Sequence, residues 1–173
     1  MRLPDGTGLE LIRRLEEHGR REKTIVITAY GSSENAVEAL RAGAQHLLGE
    51  HDFSAFRAAS CQALSPVKQL MRVDIQRRAA RPSSGPVPHG SAYWRFDFEA
   101  NAFLHHMIRN LMGSLVQVGQ GLRPPEWIAE VLASRSRDRA APTFAADGLY
   151  FLGPRYDAEW GLPDHAPAYD WLP

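Results

Sequence analysis

The most constraining feature of this sequence is an apolar pattern at residues 103–118. Its apolar side chains recur at helical spacing and form a wide stripe, made of Phe103, Leu104, Met107, Ile108, Leu111, Met112, Leu115 and Val118. A stripe of this width predicts a helix over 103–118 that is buried in a core. Arg109 stands within it, and a buried cation requires a partner.

Shorter patterns on both sides of this helix predict an antiparallel sheet. Apolar and polar residues alternate around Met71, Val73 and Ile75, and again around Trp94, Phe96 and Phe98. Residues 79–91, rich in proline and glycine, predict a long, mobile connection between these two strands. Pro125 opens a shorter helix, and residues 148–153 read as a closing strand. The fold class predicted for residues 45–173 is α+β, with helices on one face of the sheet.

Residues 1–44 have a different character and predict a separate unit. Leu9, Ile12 and Leu15 indicate a first helix, and Val37 and Leu40 indicate a second one. Between them, residues 24–28 form a β-branched run without polar alternation, which favours a parallel strand buried on both faces. The expected organisation is therefore a helix-strand-helix piece at 1–44, followed by the α+β domain at 45–173.

Composition and charge bound the function without defining it. With 44% hydrophobic and 23% charged residues, the chain suits a folded globular protein. No apolar run approaches the roughly 20 residues needed to span a bilayer, and no signal-peptide pattern is present, so we expect a cytoplasmic protein. Cys61 is the only cysteine, which excludes an internal disulfide. Residues 46–140 hold 12 Lys or Arg against 8 Asp or Glu, a modest excess that suits either RNA binding or an ordinary solvated face.

Three blocks resemble the C-terminal domain of the tRNA pseudouridine synthases in order and spacing. They are LLGEHDFSAFR at 47–57, FLHHMIRNLMGSL at 103–115, and APT at 141–143 with GLYFL at 148–152. The resemblance implies an isomerase that acts on uridines in the anticodon arm of tRNA with no metal and no organic cofactor. An aspartate would attack the uridine, while a cation keeps that carboxylate ionised.

The resemblance also implies roles for individual residues. It makes Arg109 the active-site cation, and it places the substrate-binding residues at Phe53, Phe56, Arg57, His105, His106, Leu149 and Leu152. Other interpretations remain open. Arg109 could form an ordinary ion pair with Asp97, Glu99 or Asp52, the leucines could be core residues, and Arg57 could lie on a plain surface. The two histidines are expected not to share a metal ion, because adjacent helix positions diverge by about 100°.

Residues 1–44 resemble the middle and late part of a response-regulator receiver domain, which has a flavodoxin-like fold. The matching segments are MRLPDGTG at 1–8, IVITAYGS at 25–32 and AVEALRAGA at 36–44. The family's phosphoryl-accepting aspartate would precede Met1, so no signalling is expected from this fragment. Either a gene rearrangement or an engineered chimera would give such a sequence.

The expected function is therefore that of a synthase domain by family, with catalysis in doubt. The synthases carry their nucleophile in a Gly-Arg-Thr-Asp-Ala-Gly-Val type of motif, which these 173 residues do not contain. We expect this chain to bind tRNA, to form a homo-oligomer and to show no turnover by itself. The alternatives are a non-catalytic RNA-binding or dimerisation module and a signalling fragment.

Overall fold

The structure is a computed structural model that describes residues 2–3, 6–7, 22–28, 34–79, 92–156 and 161. Its helices are α1 (Glu34–Gln45), α2 (Met107–Gly119) and α3 (Trp127–Ser134), with short 3-10 helices at Ser54–Phe56 and Arg137–Arg139. Strands β1 (Arg2–Leu3) and β2 (Gly6–Thr7) form a small antiparallel ladder. The main sheet contains β3 (Glu22–Thr28), β4 (Gly49–Asp52), β5 (Val67–Ala79), β6 (Ala92–Ala100) and β7 (Leu149–Pro154).

The main sheet has the order β4-β5-β6-β3-β7, and every neighbouring pair is antiparallel. This confirms the mixed helix and antiparallel-sheet class predicted for the larger part of the chain. The prediction of a parallel strand at 24–28 is wrong, because β3 runs antiparallel to both β6 and β7. Its β-branched run does mark a central strand. Such a run reports burial between neighbours and carries no information about their direction.

The alternating pattern of β5 contains one irregularity. Leu70 and Ile75 are buried, whereas Met71 is 46% exposed. The register of β5 against β6 shifts between Leu70 and Arg72, so one extra residue is accommodated there. Met71 therefore does not share the buried face that simple alternation assigned to it.

The core lies between one face of the sheet and the helices. Trp94, Phe96 and Phe98 of β6 are buried together with the inner faces of α1, α2 and α3. Val37 and Leu40 of α1 are buried, as their spacing predicted. No helix in the described part of the chain has the length and apolar character needed to cross a membrane.

Helix α2 is shorter than its apolar pattern predicted. It begins at Met107 instead of residue 103, because His106 adopts a left-handed backbone conformation with φ of 59°. That conformation interrupts a helix and turns the chain sharply before α2. The preceding apolar residues still serve the core, since Leu104 is 2% exposed.

Two predictions concern residues outside the described part of the chain. They are the helix indicated by Leu9, Ile12 and Leu15, and most of the connection at 79–91.

Candidate functional site

Arg109 lies in the first turn of α2 and is half-buried. Its Nε donates a hydrogen bond to the carbonyl oxygen of Phe144 at 2.7 Å. Its Nη1 donates to Nε2 of His106 at 3.3 Å. Among the described residues Nη2 has no hydrogen-bond acceptor, and the guanidinium makes no ion pair. One edge of this cation is therefore held by the protein, while part of the other remains available.

The carboxylates considered as ordinary partners of Arg109 are paired elsewhere. Asp97 accepts two hydrogen bonds from Nε of Arg95, each of 3.0 Å. Glu99 lies 3.4 Å from Arg155, and Asp52 lies 3.4 Å from Arg135. The ion-pair interpretation of Arg109 is thus wrong for all three.

Residues 141–144 run alongside α2 in the opposite direction, and each of them meets a residue of the helix. Three of these contacts are hydrogen bonds. The amide of Ala141 donates to the Ser114 hydroxyl at 3.2 Å. The Thr143 hydroxyl donates to Oδ1 of Asn110 at 2.7 Å. The amide of Phe144 donates to the carbonyl oxygen of Arg109 at 3.1 Å. Two hydrogen bonds therefore join Arg109 and Phe144. One runs from the Phe144 amide to the Arg109 carbonyl oxygen, and the other runs from the Arg109 side chain to the Phe144 carbonyl oxygen.

Gly113 permits this close approach of the loop to the helix. A Cβ atom at position 113 would lie 2.1 Å from the carbonyl oxygen of Pro142, well inside van der Waals contact. Because backbone forms that obstacle, a side chain at 113 would force the loop away from α2. The glycine in the FLHHMIRNLMGSL block therefore allows the loop to bring the Phe144 carbonyl oxygen to Arg109.

Three residues of the site were missed by the sequence analysis. Arg137 donates to Oδ1 of Asn110 and to the Thr143 hydroxyl, at 3.2 and 3.1 Å. It also donates to the carbonyl oxygens of Ala140 and Ala141, at 3.3 and 2.9 Å. Asn110 could have been noticed as a second polar residue in the apolar pattern. Thr143 stood in the APT block of the resemblance without a predicted role, and Arg137 gave no signal, because their meeting depends on the tertiary fold.

His105 and His106 lie side by side at the start of α2, next to Arg109. Their ring centroids are 4.0 Å apart with an interplanar angle of 36°. Nδ1 of His105 lies 3.2 Å from the Ser60 hydroxyl, and the His105 amide donates to Sγ of Cys61. The expectation that the two side chains diverge is wrong, because neither residue lies within the helix. Among the residues that the structure describes, no group of three or more His, Cys, Asp or Glu side chains could hold a metal ion.

The protonation state of His106 follows from its neighbours. Burial lowers the pKa of His106, and electrostatic interactions with His105 and Arg109 lower it further. Because an arginine can only donate, Nε2 of His106 must be unprotonated to accept from it. The neutral imidazole, with its proton on Nδ1, is the form that fits this contact.

The other predicted substrate-binding residues occupy supporting positions. Phe53 and Phe56 have no exposed surface, so they belong to the core, and the Phe56 carbonyl oxygen accepts from the Asn110 side chain at 2.8 Å. Nη2 of Arg57 donates to the carbonyl oxygens of Cys61 and Ala63, at 2.6 and 2.8 Å. A direct substrate contact by the two phenylalanines would require them to leave the core.

Leu149 and Leu152 both lie on β7, where the sequence placed a strand. Leu149 is partly buried against the core and pairs in register with Val26 of β3. Leu152 lies where the register between β3 and β7 shifts. Their assignment to a pocket wall stays a prediction.

The lowered pKa of His106 predicts a specific pH dependence of stability. The unfolded chain, with an ordinary histidine pKa of about 6.5, binds this proton more readily than the folded chain. The free energy of unfolding should therefore fall as the pH drops below about 6.5. In His106→Asn this part of the fall should disappear, and asparagine tolerates the left-handed conformation.

Urea unfolding at a series of pH values between 8 and 5 measures this dependence (about the range over which histidine titrates). The two proteins should differ in slope below about pH 6.5 and run in parallel at the alkaline end. Identical slopes throughout would contradict the assignment of a neutral His106.

Comparisons with known proteins identify the family. A sequence model described as tRNA pseudouridine synthase matches residues 44–157. The tRNA pseudouridine synthase A of Acidovorax sp. (strain JS42) is 63% identical over 138 residues, which cover 79% of this chain and 50% of the relative. That of Polaromonas naphthalenivorans (strain CJ2) is 64% identical over 136 residues, covering 79% of this chain and 48% of the relative.

These alignments define how much of each protein is shared. The chain spans about half the length of the curated relatives it matches. Residues 46–173 make up less than 79% of this chain. An alignment that covers 79% must therefore also include part of α1. The matched residues include the helix that carries Arg109 and the 141–144 loop that holds it. The chain therefore belongs to the tRNA pseudouridine synthase family.

Proposed function

We propose that this chain supplies the arginine side of the active cleft of a tRNA pseudouridine synthase. The reaction is the isomerisation of uridine to pseudouridine in the anticodon arm of tRNA, which we place in the cytoplasm. An aspartate attacks the uridine and the bond from the ribose to N1 of uracil breaks. The uracil then turns, C5 bonds to the ribose as the aspartate carboxylate is released, and the C5 proton is lost while N1 gains a proton. Atoms and charges balance without an oxidant, a reductant or an organic cofactor.

The single observation that supports this proposal is the state of the Arg109 guanidinium. Nε is committed to Phe144 and Nη1 contacts a neutral histidine, while Nη2 has no acceptor in the described part of the chain. A planar guanidinium with a free edge is suited to bind a carboxylate and to keep it ionised. Its position in the first turn of α2 adds the positive end of the helix dipole, which also favours an anion.

A weak tRNA-binding surface is the second part of the proposal. Arg72, Arg77 and Arg78 of β5 are exposed and can reach phosphate groups. Arg57 is less suited to this role than the sequence suggested, because its Nη2 is bound to two carbonyl oxygens. We propose that the 173-residue polypeptide alone binds tRNA without isomerising it. The family's aspartate motif does not occur among these residues.

We expect the purified chain to bind tRNA in a salt-sensitive way and to release no tritium from tRNA that carries 5-tritiated uridine. If about two phosphates are neutralised, the affinity should fall about tenfold between 50 and 200 mM salt. Release of tritium measures turnover directly, because bond formation at C5 expels that hydrogen.

The outcomes separate the two parts of the proposal. Tritium release above background that disappears in Arg109→Ala would show that a nucleophile outside the known motif acts in this chain. Ser134→Ala serves as a control variant, because it removes a hydroxyl group at the end of α3. A complete lack of tRNA binding at low salt would contradict the binding part.

The alternative function is a non-catalytic dimerisation or RNA-binding module. It is favoured by Leu64, Val67 and Met71, three large apolar residues that are 104%, 41% and 46% exposed in and just before β5. Apolar side chains grouped on a surface often mark a contact with another chain. Light scattering decides this point, since a particle of 19.3 kDa is a single chain and would contradict self-association.

For residues 1–44 we propose descent from a receiver domain with a purely structural role. The sequence segments at 1–8 and 25–32 support that origin. The antiparallel placement of β3 supports the change of role, because a receiver strand belongs to a parallel sheet. Intact-mass spectrometry after treatment with acetyl phosphate and magnesium tests this role. Stoichiometric phosphorylation of an aspartate would contradict it.

A further inference from the structure

Asn110 is a buried polar residue on a largely apolar helix, and its side chain joins three separate segments. It is 1% exposed. Its Nδ2 donates to the carbonyl oxygen of Phe56, and its Oδ1 accepts from Thr143 and Arg137. A buried amide is stable in a core only when such partners are present, so its position depends on all three.

The hydrogen bonds around Asn110 form a closed arrangement. The Thr143 hydroxyl donates to Asn110 and accepts from Nη2 of Arg137, which also donates to Asn110. Each of the three side chains thus restricts the other two. Thr143 is exposed, so packing alone does not hold it in place, and the hydrogen bonds determine its position.

The position of Thr143 controls the aim of Arg109. Phe144 follows Thr143 directly, and its carbonyl oxygen accepts from Nε of Arg109 at 2.7 Å. A shift of Thr143 moves that carbonyl oxygen, and the guanidinium must follow it or lose the hydrogen bond. The chain of contacts therefore runs from the Asn110 amide through Thr143 and Phe144 to the guanidinium.

We propose that Asn110 and Thr143 are positioning residues for Arg109. They hold the Phe144 carbonyl oxygen so that the free edge of the guanidinium keeps one direction. The value of this arrangement for catalysis rests on the proposed function. The positioning itself does not, and it is measurable in the isolated chain without tRNA.

The test compares Thr143→Val with Thr143→Ser in the full 173-residue chain. Valine keeps the shape of threonine but removes the hydroxyl group, whereas serine retains the hydroxyl group. The readout is the NMR signal of the Arg109 Nε–H group and its exchange rate with solvent. Thr143→Val should speed this exchange by about tenfold and shift the signal towards that of a free arginine. Thr143→Ser should remain close to the unchanged chain.

Two further variants keep the result interpretable. Ser65→Ala removes an exposed hydroxyl group that accepts from the amide of Val67, far from Thr143 in sequence, and should leave the Arg109 signal unchanged. Asn110→Ala should speed the exchange at least as much as Thr143→Val. If Asn110→Ala fails to fold, the valine and serine pair still decides the question, because Thr143 is exposed.

Exchange in Thr143→Val within about twofold of the unchanged chain would overturn the proposal. An acceleration matched by equal acceleration at core amides of α2 would also overturn it, because that pattern reports general destabilisation. Failure of the proposed function would appear in the tritium and tRNA-binding assays and would leave this readout unaffected.

Discussion

The contact between α2 and residues 141–144 is the interaction on which the site depends. Ala141, Pro142, Thr143 and Phe144 meet Ser114, Gly113, Asn110 and Arg109 in turn, because the loop runs antiparallel to the helix. Gly113 allows backbone to lie directly against backbone at the centre of this contact. At its end, the Arg109 side chain and backbone both bind Phe144. The direction of the half-buried Arg109 guanidinium is thus set by the loop.

The sheet beneath the site depends on a strand from outside the family match. The matched residues 44–157 contain β4, β5, β6 and β7, yet β6 and β7 are not neighbours. β3, at Glu22–Thr28, lies between them and pairs with both. Among the described strands, β7 therefore joins the sheet only through β3. The strand β3 of the amino-terminal segment thus belongs to the sheet of the synthase-like domain, although the predicted domain boundary lies at residue 44.

The sequence predicted most elements of the larger domain, because periodicity depends on local spacing. The strands around Ile75 and Phe96 and the helices α1, α2 and α3 follow their apolar patterns. The errors arose where tertiary structure decides. The direction of β3 is set by the neighbours it finds, and the start of α2 is set by the left-handed conformation of His106.

The candidate site shows the same limit. Arg109 was noticeable as a charge in an apolar stripe, and the family resemblance gave it a role. Asn110 carried a similar signal, whereas Thr143 and Arg137 become part of the site only because the chain returns to α2 after α3. Phe53 and Phe56 match binding residues in sequence, whereas in the structure both lie in the core and the Phe56 carbonyl oxygen accepts from Asn110.

Hydrogen–deuterium exchange at the Phe144 amide reports directly on the contact between α2 and residues 141–144. This loop amide, bound to the carbonyl oxygen of Arg109, should exchange as slowly as the core amides of α2. Substitution of Gly113 by alanine should abolish that protection, because the loop must then move away from the helix. Exchange of the Phe144 amide in the unchanged chain at the rate of an exposed loop would show that residues 141–144 are not held against α2.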